Sequence, residues 1–464
     1  MKTSANIEYK EVVPADVTVV YEDESILTPF RTQPILSVGN VAEDHTGTWA
    51  QLSEHHGRAL VDTRLLGKAV WGDSFGITFG ALDLKGSIAD SIEIEKTPSG
   101  ELRISGLKSE TSIRRIAAVS KYLRENGLPT EGINNIYQIN SLPISGEQIS
   151  VEDWKKREIE RRLLEIANLG DIADKTEKGS GDYTNTIRDK IDLTVELERV
   201  APYLQDLDLY IIERSLQTAE RIRDIKVTKT REDFINGAAN GILWVAKGIK
   251  HGYYKSFAEW FLTDEEDFDI ENPDHLKKYF VDWLPSQMGA YLAKFHKLGL
   301  VHGFTHSQNW SLAGTLYDLD SVRGYDLDES LGISRPPPAK EDQVTDVKKS
   351  LNGIFDIYTT RNIFNEILDL RGDNYIAQQI KLYSPEEPAI AVQGLSNFIA
   401  SYIREMYGDQ VSADNTELAS IINELYPDTV FVGHTKESAG YIKESVIELA
   451  INKIRPKAAT LGKT

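Results

Sequence analysis

The chain of 464 residues contains no cysteine and has an excess of acidic side chains. The missing cysteine excludes disulfides, thiolate metal sites and thiol nucleophiles. Acidic residues number 72 against 52 basic ones, and the formal net charge of −20 argues against broad binding to nucleic acid or to an anionic membrane. No apolar run approaches the roughly 18 residues of a membrane-spanning helix, and the first residues lack an apolar signal core. We therefore expect a cytoplasmic protein with neither a nucleic-acid nor a membrane partner.

The remaining composition is ordinary for a globular protein, with 41% hydrophobic and 27% charged residues. The length suffices for one large two-lobed unit or for two to three domains. A local basic pocket remains compatible with the acidic total, because net charge describes the whole surface.

Hydrophobic periodicity divides the chain into a β-rich part followed by helical parts. Short apolar segments separated by Gly, Ser and Pro predict strands over 47–106, and an apolar face predicts a helix from Ser109 to Asn126. Residues 151–270 are predicted to be mostly helical, with a polar loop at 172–190. Further helices are predicted over 285–298 and through most of 341–456.

These elements predict an α+β fold in three parts. Residues 1–150 would form an N-terminal, β-rich, nucleotide-binding lobe with one main helix. Residues 151–280 would form a helical insertion or part of a large lobe, and residues 281–464 would hold a catalytic loop, a metal site and a helical end.

The stretch 302–320, HGFTHSQNWSLAGTLYDLD, carries the strongest functional signal. Asn309 follows a turn that begins with His302 and Gly303, and Asp318 comes after a short apolar step. Amide and carboxylate oxygens are the ligands that Mg²⁺ accepts beside nucleotide phosphates, so Asn309 and Asp318 are predicted metal ligands. The tetrapeptide YDLD recurs at 325–328, and this second copy is predicted to be a solvated turn.

Two features of the N-terminal part could contact the phosphates of a nucleotide, and a third could hold one of them in place. Lys85 ends a predicted strand and supplies a cation. The loop QLSEHHGRALV contains Gly57, which permits close backbone approach, and Arg58, which can bind a phosphate bidentately. Glu110 near the start of the predicted helix could hold Lys85, or it could serve only as a favourable charge at the helix N-terminus.

Four ordered segments of the chain resemble the selenoprotein O (SelO, or YdiU) family of kinase-like proteins. They are QLSEHHGRALV, LDLKGS, TSIRRIAAVSKYLRENGLPTE and the His-Gly to Asp spacing of HGFTHSQNWSLAGTLYD, within roughly 45–135 and 285–330. The resemblance implies a bilobal protein-kinase-like fold with a small β-rich N-lobe and an enlarged helical C-lobe. It also implies transfer of AMP from ATP to a protein or peptide hydroxyl.

Carried over residue by residue, the resemblance assigns Lys85 to phosphate contact and Gly57 and Arg58 to the nucleotide loop. It assigns Asn309 and Asp318 to Mg²⁺, which makes ATP and Mg²⁺ the expected substrate and cofactor.

The chain also departs from the family pattern. Gln308 occupies the position of the family's proton-accepting aspartate, and an amide cannot take a proton at neutral pH. Asp320 is the nearest carboxylate in sequence and could serve as base or as a second metal ligand, so Gln308 and Asp320 mark the predicted catalytic position. Arg115 stands where a carboxylate is expected beside the serine-isoleucine-arginine motif.

A second resemblance is to small-molecule phosphotransferases of the aminoglycoside-kinase type. His302, Gly303, His306 and Asn309 fit their loop, but Phe304 occupies the position of the catalytic aspartate. We expect Phe304 to fill an apolar slot beneath the loop and His306 to be a hydrogen-bonded structural residue.

Two alternatives to AMP transfer therefore remain. The first is a phosphotransferase acting on a protein or a small molecule, with Asp320 as base. The second is a pseudoenzyme that binds nucleotide as a scaffold. The acceptor, whether protein, peptide or small molecule, is not specified by the sequence.

Overall fold

A computed structural model represents the chain. It describes residues 7–28, 32–41, 47–53, 58–60, 71–90, 92–96, 102–105, 108–227, 242–243, 245–246, 268–330, 336–359, 390–408, 415–426 and 436–454. These residues form a mixed α+β structure, which confirms the predicted fold class at that level.

The strands fall into one large antiparallel sheet and several small ones. Their bounds are Ile7–Pro14 (β1), Val17–Glu22 (β2), Ile26–Leu27 (β3), Ile35–Asn40 (β4), Trp49–Ser53 (β5), Arg58–Leu60 (β6), Trp71–Asp73 (β7), Thr78–Phe79 (β8), Ala81–Lys85 (β9), Glu93–Lys96 (β10), Leu102–Ser105 (β11), Lys108–Ser109 (β12), Gly132–Ile139 (β13), Ser141–Ile144 (β14), Glu147–Ser150 (β15), Leu209–Leu216 (β16), Leu300–Val301 (β17) and Arg323–Gly324 (β18). The large sheet has the order β2-β13-β16-β9-β6-β5-β1-β4, with β12 also paired to β16. The strands that lie in 47–106 confirm the β-rich prediction for that stretch.

Strand β16 lies in the middle of this sheet, although its sequence falls within the stretch predicted to be mostly helical. All eight of its residues are buried, and it pairs with β13 on one side and β9 on the other. A strand covered on both faces shows no apolar–polar alternation, so its pattern is not distinctive in sequence. The sheet therefore combines strands from the predicted N-terminal lobe with one from the predicted helical insertion.

The helices have the following bounds: Glu110–Glu125 (α1), Val151–Lys175 (α2), Gly181–Gln205 (α3), Ile222–Val227 (α4), Pro273–Lys277 (α5), Leu284–Lys297 (α6), Tyr325–Ser330 (α7), Lys340–Thr359 (α8), Ile390–Tyr407 (α9), Asn415–Leu425 (α10) and Lys436–Ile454 (α11). A π-helical segment, Lys278–Trp283, joins α5 to α6, and a 3₁₀ turn spans Leu319–Ser321.

Two predicted helices are confirmed with their buried faces. In α1, the predicted face is buried at Ile113, Ile116 and Leu123, and the helix is followed by Gly127 with φ of +72°. In α6, the apolar face is fully buried, and the helix packs against α9 so closely that a Cβ on Gly289 would lie 2.1 Å from the Phe398 carbonyl oxygen. Close backbone packing of this kind explains why glycine occupies that position.

The predicted polar loop at 172–190 is wrong, because helices α2 and α3 occupy most of it. Only residues 176–180 lie between the two helices. Ser180 caps α3, since its hydroxyl accepts a hydrogen bond from the Tyr183 N–H at 3.1 Å. The Gly-Ser-Gly sequence thus supplies a helix N-cap within a tight helical hairpin.

Most buried apolar side chains belong to two clusters. The larger surrounds α6, α8 and α9, and the smaller lies between the large sheet and the bases of α2 and α3. None of the helices in the described part of the chain is long and apolar enough to cross a membrane.

Candidate functional site

The two residues with the clearest predicted roles meet in the structure. The ammonium of Lys85, at the end of β9, forms an ion pair with the Asp318 carboxylate. The Lys85 side chain is almost fully buried, with 2% exposed, and that of Asp318 is 13% exposed. Fold topology therefore brings a strand-end cation to the predicted metal carboxylate across 233 positions of sequence.

The loop that carries Asn309 and the segment that carries Asp318 are held side by side. The Tyr317 N–H donates to the Asn309 carbonyl oxygen at 2.9 Å, and the buried His302 ring nitrogen Nε2 lies 2.9 Å from the Tyr317 carbonyl oxygen. Asp318 itself has φ of +61°, in the left-handed region. A non-glycine residue rarely adopts this conformation, and such strain is common where a side chain is aimed at a site.

A single guanidinium nitrogen of Arg221 lies between the two predicted metal ligands. Its Nη1 is 3.5 Å from the Asn309 side-chain oxygen and 3.2 Å from Asp318 Oδ2. The same atom donates to the Gln308 carbonyl oxygen at 2.6 Å. The oxygens of Asn309 and Asp318 thus face one common point, at which a positively charged group is stabilised.

Arg221 was not predicted from the sequence. The residue is 4% exposed, yet its Nε and Nη2 have no hydrogen-bond partner among the described residues. Its guanidinium also lies 5.7 Å from the centre of the Tyr317 ring. Buried unpaired donors are costly, so these N–H groups are suited to an anionic ligand that completes them.

Arg214, in β16, is a second basic residue that sequence reasoning missed. It donates to both oxygens of Asp83, at 2.8 and 2.7 Å, and pairs with Glu131. Burial works to lower the pKa of Arg214, but Asp83 and Glu131 outweigh it and raise that pKa, so the side chain stays charged. Its Nη1 lies 3.9 Å from Asp318. Neither arginine stands in a distinctive local motif, because both act through long-range packing.

Lys85, Arg214 and Arg221 therefore converge on one carboxylate, Asp318. Since Asp83 and Glu131 already pair with Arg214, the cations that face Asp318 directly are Lys85 and Arg221. Counting Asp83, Glu131 and Asp318, the cluster is formally neutral, and Lys85 and Arg221 are its cations nearest to Asp318. Cations at such a position are what the phosphates of a nucleotide require.

Asp346 on α8 anchors the start of the His302–Asn309 loop. Its two oxygens accept hydrogen bonds from the backbone N–H groups of His302 and Gly303, at 2.7 and 2.8 Å. Burial works to raise the pKa of Asp346, but the nearby His296 ring and the hydrogen bond from the His302 backbone N–H prevail and lower it. Asp346 therefore remains an acceptor, and the loop is fixed to the helical body by a charged group.

Phe304 does not fill an apolar slot, so that prediction is wrong. Its side chain is 53% exposed, and the Lys349 ammonium lies 4.7 Å from the ring centre. The Phe304 carbonyl oxygen accepts a hydrogen bond from Asn309 Nδ2 at 2.9 Å. Gly303, with φ of +78°, lets the chain turn so that the backbone of Phe304 faces the site and its ring faces solvent.

The second YDLD copy is helical, and its Leu327 and Asp328 are buried, so the predicted solvated turn is also wrong. Asp328 in α7 is 2% exposed and pairs with Arg115 of α1. Arg115 Nε also donates to the Val322 carbonyl oxygen at 2.7 Å. Tertiary packing therefore supplies Arg115 with a buried carboxylate partner.

The remaining predicted residues are less closely defined. Gly57 lies outside the described residues, as do the side chains of Arg58 and Glu110. The backbone of Arg58 pairs with Lys85 in the sheet, and Glu110 is the first residue of α1. Asp320 lies, partly exposed, in the 3₁₀ turn directly after Asp318.

Gln308 and His306 lie on the same loop. The Gln308 N–H is 3.3 Å from His306 Nδ1, which confirms a hydrogen-bonded role for that histidine. Burial lowers the pKa of His306, which favours the neutral acceptor form of its ring.

In the described part of the chain, no three His, Asp or Glu side chains are grouped as a metal site. The pair Asn309 and Asp318 would therefore bind a metal with help from ligand oxygens or water, which is the usual situation for Mg²⁺ at nucleotides. Comparison with protein-family models and with curated proteins finds no match to this chain.

Proposed function

We propose that the chain is a Mg²⁺- and ATP-dependent transferase of the kinase-like type, which transfers AMP to a protein or peptide hydroxyl. The observation that carries the proposal is the meeting of Lys85, Arg221, Asn309 and Asp318 at one buried point. Oxygen ligands beside paired cations are the arrangement that nucleotide phosphates and Mg²⁺ require. Transfer of AMP, as opposed to phosphate, rests on the resemblance to the selenoprotein O family.

The order of elements supports a bilobal protein-kinase-like fold for this site. The hairpin β5–β6 lies next to β9, which carries Lys85, and α1 follows in sequence. The loop with Asn309 and Asp318 is anchored to helices of the larger cluster. In protein kinases the loop over the phosphates, the lysine strand and the metal ligands are placed on comparable elements.

The residues present fit a Mg²⁺-triphosphate. Asn309 and Asp318 would hold the metal once Arg221 Nη1 leaves the point between them, and the N–H groups of Arg221 would then donate to phosphate oxygens. Lys85 pairs with Asp318 and could bind phosphate as well, since an ammonium has three donors. When bound, Mg²⁺ neutralises negative charge on the triphosphate.

In the proposed reaction, the acceptor oxygen attacks the α-phosphorus, the bond to the bridging oxygen breaks, and pyrophosphate leaves. The acceptor proton must go to a base, and Gln308 cannot take it. We assign that role to Asp320, which directly follows the metal-ligand segment and is partly exposed. Positioning and electrostatic stabilisation supply most of the acceleration in phosphate transfer, so a weak base is compatible with catalysis.

Incubation with ATP labelled separately at the α- and γ-phosphates tests the proposal. Label retained on protein only from the α-position is the expected result, and the Asp318→Ala variant should retain none. Label retained only from the γ-position would replace AMP transfer by phosphotransfer.

Nucleotide binding without transfer is a second candidate function, which Gln308 favours because an amide stands at the position of the base. Thermal stabilisation by Mg²⁺-ATP with no label transferred would establish it. Unchanged Mg²⁺-ATP binding in Asp318→Ala would contradict the site itself.

A further inference from the structure

A cleft of about 670 Å³ lies between α1 and the β2 end of the large sheet. None of Lys85, Asn309 and Asp318 lines it, so it is distinct from the candidate nucleotide site. Its volume is within the range of about 300–1,000 Å³ that is typical of ligand sites.

The base of the cleft is apolar. Ile113, Ala117, Ile136 and Tyr210 line it, and all four belong to a small hydrophobic cluster between α1 and the sheet. This cluster is separate from the two large cores. The small side chains of Ala117 and Ala118 on α1 line the cleft, and an apolar group inserted against this base would bury additional surface.

A β-bulge adds an exposed apolar wall. The register of β2 against β13 shifts so that Tyr21 pairs with Ile136 and Val19 with Tyr137, which leaves Val20 as the extra residue. Val20 is 47% exposed and lines the cleft. Bulges re-aim side chains, and this one places a valine beside the apolar base of the cleft.

Two cations line the same cleft. Arg114 and Lys121 lie seven positions apart on α1. Seven positions are about two helical turns, so the two side chains lie on the same face of the helix, roughly 10 Å apart along its axis. Asp208 is the single carboxylate among the described lining residues. The lining therefore carries net positive charge in a chain whose formal charge is −20.

We propose that this cleft docks an acidic peptide segment of a partner protein. A bulky apolar side chain of the segment inserts beside Val20 and Ile136, while its carboxylates face Arg114 and Lys121. One compact ligand with a single carboxylate does not reach both cations, whereas an extended peptide covers the same distance in about three residues at roughly 3.3 Å each. This docking does not depend on the proposed function.

Helix α1, which lines the docking cleft, also contacts the candidate site. Arg115, which follows Arg114 in α1, contacts Asp328 and the carbonyl oxygen of Val322, in the segment that follows Asp318. A peptide that changes the position of α1 therefore acts on the segment that carries the metal carboxylate. This second step rests on the proposed function.

Fluorescence anisotropy tests the docking with a labelled peptide, Asp-Asp-Phe-Asp-Asp-Ile-Asp, and the full chain without nucleotide. Two control peptides replace every Asp by Asn or replace Phe and Ile by Ser. We expect the acidic peptide to bind with a Kd below about 1 mM, and we expect this Kd to increase with salt concentration. Both control peptides should have a Kd at least about tenfold higher.

Three variants of the chain complete the test. The double variant Arg114→Glu and Lys121→Glu should weaken binding at least about tenfold, and Val20→Asp should do the same. Lys178→Glu, an exposed charge reversal in the turn between α2 and α3, should leave the Kd unchanged. Absence of binding at 1 mM, equal binding of the Asn peptide, or an unchanged Kd in the double variant would overturn the proposal.

A separate titration measures Mg²⁺-ATP affinity with and without saturating peptide. A change of at least about fivefold is expected if the sites are coupled. If ATP does not bind at all while the acidic peptide still does, the proposed function fails and the docking site stands.

Discussion

Replacing Arg115 by Ala should destabilise the protein strongly, because Arg115 forms a buried ion pair. The side chains of Arg115 and Asp328 are 9% and 3% exposed, and Arg115 also donates to the Val322 carbonyl oxygen at 2.7 Å. Removing one partner of a buried pair costs about 3–5 kcal/mol, since the other charge is left buried. Asp328 keeps a hydrogen bond from the Gly324 N–H at 3.3 Å, so we expect the lower end, about 3 kcal/mol.

The measurement is the thermal midpoint by scanning fluorimetry. For a chain of 464 residues, an unfolding entropy of about 2 cal/mol/K per residue converts about 3 kcal/mol into a decrease of about 3 °C. The double variant Arg115→Met and Asp328→Leu leaves no unpaired buried charge, so it should be more stable than Arg115→Ala, although it loses the bonds to Val322 and Gly324.

The control is Arg323→Ala, which breaks a pair with Asp342 whose side chains are each 33% exposed. It should cost no more than about 1 kcal/mol. The reasoning is refuted if Arg115→Ala is as mild as this control, or if the double variant is as unstable as the single one.

Three further predictions follow from the packing and the titrating groups. Gly289→Ala should lower the free energy of unfolding in urea by about 2 kcal/mol or more, because its Cβ would lie 2.1 Å from the Phe398 carbonyl oxygen. Gly181→Ala, whose Cβ would face open space, is the control. Equal urea midpoints for the two variants would contradict the close packing of α6 and α9. Phe304→Ala should change stability by no more than about 0.5 kcal/mol, and a loss above about 2 kcal/mol would restore the apolar-slot interpretation. Burial lowers the pKa of His296 below its ordinary value of 6.5. At acidic pH the unfolded chain therefore binds more protons at His296 than the folded chain does, so the free energy of unfolding should fall as the pH drops below about 6.5. The thermal midpoint of the parent should therefore decrease between pH 7.5 and 5.5, and a His296→Gln variant with an equally steep decrease would exclude His296 as a cause.

The amphipathic helices were predictable because their periodicity records which face is buried. The faces of α1 and α6 could be identified residue by residue, and so could the ends of α1. Strand β16 was not predictable, because a strand that is buried on both faces lacks the alternation of apolar and polar residues. The polar stretch 172–190 was predicted to be a loop, but α2 and α3 extend into it, and Ser180 caps the start of α3.

The sequence by itself determined Lys85, Asn309 and Asp318 as candidates, because each stands in a short local pattern with a recognisable chemistry. Only the tertiary structure decided that Arg221 lies between Asn309 and Asp318, that Arg214 lies close by, and that Arg115 is compensated by Asp328. Charges in a low-dielectric interior must find partners wherever packing places them, and the partner of Arg115 is 213 positions away in sequence. The local pattern of apolar residues indicates which side chains are buried, whereas the pairing of buried charges depends on how elements distant in sequence pack together.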